Sequence, residues 1–262
     1  MKPTIFTIFF LFFFNSAFAS NLDALLWEAV RSDHFIVYYQ EAPSGYVSKI
    51  IEAAEKYYKE ITFELGFTRF EGFWTWDKRA KIYLFKNIDD YKHHSHQPAW
   101  SSAGVNVLNR EITTYVGNED FFENTLPHEM GHLIFREFVG YRRKLPLWLD
   151  EGIASYLEKR FTKERLVIVK ILFSYGLFMD LDELEKVNIR NMIMPDLFYY
   201  ESASIIDFLL GVYGKEKFFA FCNALKELPV YEDWRKALFG VYKIENAAQL
   251  NKEWIEFLKK KN

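Results

Sequence analysis

Thr125 to Leu157 reads TLPHEMGHLIFREFVGYRRKLPLWLDEGIASYL, and two short patterns inside it set the expectation for the whole chain. His128-Glu-Met-Gly-His132 places two imidazoles at i and i+4, one turn apart on one helix face, where both can reach a single metal ion. Glu129, next to the first histidine, points beside such a metal rather than at it. That is where a general base must stand to take a proton from water held there. Glu151 follows His132 after 18 intervening residues. On a second helix it would complete a set of two nitrogens and one carboxylate oxygen, leaving one coordination position open. An open position is the mark of a catalytic zinc, whereas structural zinc is closed by four protein ligands.

The residues around these patterns supply the two helices. Leu133, Ile134, Phe135, Phe138 and Val139 continue the first with an apolar stripe. Gly140 is placed to stop it, and the basic run Arg142-Arg143-Lys144 suits a solvated turn. Pro146 then opens a second helix with Leu149, Ile153, Tyr156 and Leu157 on its core face. A short turn between helices makes them antiparallel neighbours, which returns Glu151 towards the histidines. Pro127 leaves two possibilities: it opens the first helix, or it kinks one that began near Glu119.

Further out, the first 19 residues read as a signal peptide. Lys2 provides a positive start, Ile5 to Phe14 is an apolar core interrupted only by Thr7, and Ala17-Phe18-Ala19 fits a cleavage site before Ser20. The run is short for a membrane span, so export is expected, with an uncleaved anchor as the alternative. Removal of this segment leaves 243 residues with 32 basic and 36 acidic side chains, a net charge of −4 that gives no sign of nucleic-acid binding. Residues 20–33 are short and helix-like, which argues against a propeptide. The single Cys222 lies in the apolar segment FFAFCNAL, excludes an internal disulfide and reads as a small buried hydrophobe.

Residues 34–40, HFIVYYQ, alternate and are rich in aromatic and β-branched types, so they predict a strand. Gly45 to Leu65 predicts a helix, with Val47, Ile50, Ile51, Ala54, Tyr57, Tyr58 and Ile61 on one face. Lys81 to Phe85 predicts a second strand. Residues 103–116 predict a hairpin turning near Asn109 and Arg110, and the patterns from Glu119 onward are helical. The layout is one catalytic domain: an α/β lobe over residues 20–118, then a mostly helical lobe over 119–262 carrying the metal donors.

The second pattern, Pro146-Leu-Trp148-Leu-Asp-Glu151-Gly152-Ile-Ala154-Ser-Tyr156, resembles the P-x-W-x-x-E-G-x-A segment that follows H-E-x-x-H in gluzincin metallopeptidases, specifically the compact peptidase MA-like domains. The likeness covers most of residues 33–258 in layout, with its specific motifs at 125–157 and 198–214. It implies a zincin-like α+β fold, with a small twisted sheet and helices followed by a mostly helical lobe. It implies one zinc on His128, His132 and Glu151, with Glu129 as general base and a peptide or protein as substrate. By the same resemblance, Glu111 to Val116 is the candidate edge strand that pairs with an extended substrate; the segment reads equally as an ordinary hairpin strand. Phe198 to Gly214 resembles the family's tyrosine-bearing block, which makes Tyr200, or its neighbour Tyr199, the candidate donor to the oxyanion; the alternative is an aromatic packed at a helix start.

Other residues attract attention without a pattern to back them. Asp150 is placed to orient a ligand histidine or to lie exposed on the helix surface, and Ser155 carries the same two readings. His93, His94 and His96 cluster in DDYKHHSHQP, read as a polar loop whose histidines are solvated unless they hold a second metal. Trp74, Trp76 and Trp100 either line a groove or pack in the core. No G-x-M-E-N segment precedes the zinc motif and no third histidine follows in H-E-x-x-H-x-x-G-x-x-H spacing. The expectation is a small endopeptidase-type zinc hydrolase. Its rivals are a zinc-stabilised scaffold without proteolysis and a hydrolase of non-peptide amides.

Overall fold

The computed structural model describes residues 26–67, 74–75, 78–95, 102–158, 163–188, 192 and 194–260. The signal-peptide reading over residues 1–19 and the readings of Trp76, His96 and Trp100 therefore lie outside the described residues.

Five short strands, three of them buried almost throughout, build a small mixed sheet. β1 (Glu28–Arg31), β2 (Phe35–Tyr39), β3 (Ala80–Phe85), β4 (Gly104–Asn106) and β5 (Glu111–Tyr115) lie in the order β1-β2-β3-β5-β4. β2 and β3 are parallel, as are β3 and β5, while both outer pairs are antiparallel. Register sets Val37 beside Ile82 and Ile82 beside Ile112, so one face is aliphatic. On that side the Phe35 ring meets Tyr58 of α1 (Tyr46–Glu64), whose Ile50, Ala54 and Ile61 are buried. The other face carries Tyr83 and Phe85, packed with Tyr91 of α2 (Ile88–His94), Trp27, Tyr38 and Tyr115. A sheet covered on both faces has its parallel strands shielded from water, as parallel pairing requires.

The remaining elements are helical: a π-helical turn at Phe121–Thr125, then α3 (Leu126–Val139), α4 (Leu147–Leu157), α5 (Lys163–Ser174), α6 (Leu181–Lys186), α7 (Pro195–Tyr213), α8 (Lys215–Glu227), α9 (Arg235–Tyr242) and α10 (Ala247–Lys260). In α7 every residue from Leu197 to Leu210 is buried. A helix apolar or small on all sides has to be surrounded, and α4, α5, α8 and α10 all pack against α7. The fold is α+β and zincin-like, as the sequence predicts. None of the described helices is long and apolar enough to cross a membrane.

Two compact units divide the chain. The first runs to Lys59 and resumes through Glu129, and it holds the sheet. The second takes the end of α1 from Glu60 and everything described from Met130 onward.

Three expectations are corrected. Residues 28–31 form a strand, not a helix, because their main chain pairs with β2, with all four side chains exposed. Glu111–Tyr115 is not an edge: β5 lies between β3 and β4, so the edges are β4 and β1. His93 and His94 sit in the last turn of α2, not in a loop. Asn87 caps that helix by accepting from the Asp90 N–H, with Asp89 and Asp90 at its positive end and the histidines at its negative end.

Candidate metal centre

The approach to α3 settles the Pro127 question. Residues 121–125 form a π-turn in which the Thr125 N–H reaches Asp120 O and the Leu126 N–H reaches Phe121 O, each five residues back. Pro127 has no N–H to continue that series to Phe122 O, and the Tyr57 hydroxyl donates to this carbonyl at 2.8 Å instead. Proline thus falls where the helix changes from π to α register, and α3 runs on unbroken to Gly140, whose φ of +101° ends it.

His128 and His132 lie one turn apart on α3, and Glu151 lies in the first half of α4. All three are buried, at 1% exposure each, and Glu129 is 3% exposed. One nitrogen from each histidine and one oxygen of Glu151 lie within 4.8 Å of one another. His132 Nε2 stands 3.6 Å from Glu151 Oε2. Tetrahedral bonds of about 2.0–2.2 Å set donor atoms ~3.3–3.6 Å apart, so the pair is spaced to share an ion. Among the described residues these three form the group able to hold a metal.

The approach of α3 to α4 and that of α4 to α7 each rest on a position without a side chain. A Cβ on Gly131 would meet Leu157 Cδ1 at 2.9 Å and Ala154 Cα at 3.1 Å, both on α4. A Cβ on Gly152 would meet the Ser202 carbonyl oxygen on α7 at 2.6 Å. Gly152 follows Glu151 directly, so α4 is pressed onto α7 at the donor itself.

The family model of the Peptidase MA superfamily matches residues 75–260. The chain belongs to the Peptidase MA superfamily. No curated protein matches the chain by sequence. Membership in the Peptidase MA superfamily assigns a metallopeptidase-like function and accords with a gluzincin-like domain.

The other sequence candidates fall in different places. Tyr200 is buried on α7 with the Arg165 guanidinium 5.1 Å above its ring. Burial raises its hydroxyl above the usual phenol range, and Arg165 pulls the other way. Arg165 is itself held by Glu158 at 2.9 Å, so Tyr200 sits in a cluster with Arg165, Glu158 and Asp196. Ser155 is buried in α4. Trp74 is core, packed edge-on to Phe35. The rings of His93 and His94 meet at 90° with centroids 4.6 Å apart, and among the described residues they belong to no metal-holding group. Cys222 is fully buried in α8, which pushes its thiol up.

Two basic residues lie otherwise than the sequence predicts. Arg143 is not in a solvated turn: it is buried and donates to the carbonyls of Lys226, Leu228 and Pro229 at the end of α8. Asp150 neither touches solvent nor stands alone: its carboxylate takes the Arg136 guanidinium, Nε to Oδ1 at 2.7 Å with a second bond from Nη2 to Oδ2. The clue in the sequence is Arg136 itself, a charge set four residues after His132 and therefore in the row of the two histidines.

Proposed function

We propose that this protein is an exported zinc peptidase that cuts within peptide chains. The observation that carries the reading is the buried set of three donors within 4.8 Å beside Glu129, in a chain of the Peptidase MA superfamily. His128, His132 and Glu151 would hold the zinc, one per chain. When bound, zinc supplies Lewis acidity, which acidifies water and polarises a carbonyl.

The chain's own residues do the rest. Glu129 takes the proton as water attacks the scissile carbonyl and delivers it to the departing amine. Tyr200 is the candidate donor to the oxyanion, and its raised hydroxyl stays protonated near neutrality, as a donor must. Lys2, the apolar run Ile5 to Phe14 and Ala17-Phe18-Ala19 support export.

The test is digestion of a diverse peptide mixture by the exported protein, read by mass spectrometry. Glu129→Gln is expected to lower turnover by about 10²–10⁴-fold with metal still bound, and chelation is expected to stop cleavage until zinc is restored. Cuts at chain ends alone would make it an exopeptidase. No cleavage with one zinc per chain would overturn the peptidase reading in favour of a scaffold or a non-peptide amide hydrolase.

A further inference from the structure

We propose that Arg136 and Asp150 form a positioning clamp that fixes the separation of His132 and Glu151 and thereby sets the affinity and geometry of the metal site. The inference rests on the metal reading above. His128, His132 and Arg136 recur every four residues, so they form one row on α3. On α4, Asp150 immediately precedes Glu151. The ion pair therefore joins the two helices one turn along α3 from His132 and one residue along α4 from Glu151.

The opposite side of the donor pair is fixed by contact. Gly131, adjacent to His132, lies tightly against α4, where a Cβ would meet Leu157 Cδ1 at 2.9 Å and Ala154 Cα at 3.1 Å. The 3.6 Å between His132 and Glu151 is thus bracketed, by a steric stop at Gly131–Ala154 and by the guanidinium–carboxylate fork at Arg136–Asp150. Both charges are buried, at 3% and 2% exposure. All three guanidinium nitrogens are engaged, since Nη1 donates to the Arg143 carbonyl at 2.7 Å. A planar fork of this kind fixes orientation as well as distance.

Stability alone gives little reason for such a pair. Burying two charges removes their hydration, and apolar residues of similar volume commonly serve as well or better. A pair that fixes helix register next to two donors has a use that apolar packing lacks, because apolar side chains slide where a bidentate fork does not.

The experiment replaces both partners at once, Arg136→Met with Asp150→Leu, so that no charge is left buried and alone. Cobalt(II) and zinc are titrated into metal-free wild type, this double variant and His132→Ala. The readouts are affinity, the visible absorption of bound cobalt, and the melting temperature of the metal-free protein. The clamp predicts affinity in the double variant lower by about 10–100-fold and an altered cobalt spectrum, with the metal-free melting temperature close to wild type. Arg136→Lys, which keeps the charge but not the fork, is expected to fall between; it carries the test if the double variant does not fold. Wild-type affinity and spectrum in either variant would overturn the clamp alone. A wild type that binds no metal, or a His132→Ala variant that binds as well as wild type, would overturn the metal reading and the clamp with it.

Discussion

Asp150 on α4 and Glu201 on α7 are equally hidden, at 2% and 0% exposure, yet their surroundings differ in kind. Asp150 faces a guanidinium that takes both its oxygens. Glu201 accepts the Met179 N–H on its two oxygens, at 3.2 and 3.3 Å, and the Glu183 carboxylate bears on it from α6. Burial therefore pushes Glu201 up to about 8, the Met179 N–H offsetting only part of the effect. One helical unit thus uses a buried carboxylate in two ways: as the partner of a guanidinium beside the candidate metal donors, and as a group that gains or loses its proton near neutrality elsewhere. Gly152 lies between the two regions, touching Ser202, the residue after Glu201.

The contrast can be broken most severely at Asp150. Asp150→Ala leaves Arg136 buried without its carboxylate and is expected to cost about 3–5 kcal/mol; denaturant unfolding would measure it, and a loss below 1 kcal/mol would mean that water or another acid reaches Arg136. Gly152→Ala drives a methyl into the Ser202 carbonyl and is expected to cost about 1–3 kcal/mol, read the same way, with a neutral result showing that α4 and α7 can part.

A more gradual effect, spread over pH, sharpens the other side. Glu201 titrates at its ordinary 4.5 when unfolded and at about 8 when folded. Between those values the folded protein holds a proton that the unfolded chain releases, so stability falls as pH rises through that window. Glu201→Gln is expected to remove this fall, of up to about 1.4 kcal/mol per pH unit. Urea midpoints at several pH values would reveal it, and parallel profiles for variant and wild type would exclude Glu201 as the source.

Local patterns made much of this legible. The i, i+4 histidines, the glutamate 19 residues beyond the second of them, the β2 and β3 strands and the Asn109–Arg110 turn are all properties of neighbouring residues. What stayed hidden depends on distant ones. β1 is a strand only because β2 pairs with it, and β5 is internal only because Lys81 registers with Glu111 on one side and Val105 with Ile112 on the other. The π-turn left no mark except a proline that fitted two readings. Arg143 looked solvated because its partners lie far along the chain.

Those distant partners bear on the order of assembly. The Arg143 side chain holds carbonyls 83 to 86 residues further on, while its own carbonyl holds Arg136. The turn joining α3 to α4 is therefore anchored by a long-range contact whose loop-closure entropy has to be met before the contact contributes. The candidate metal donors are near neighbours in sequence, but the turn between them is secured only once the chain has been made through α8 and has come back to meet it.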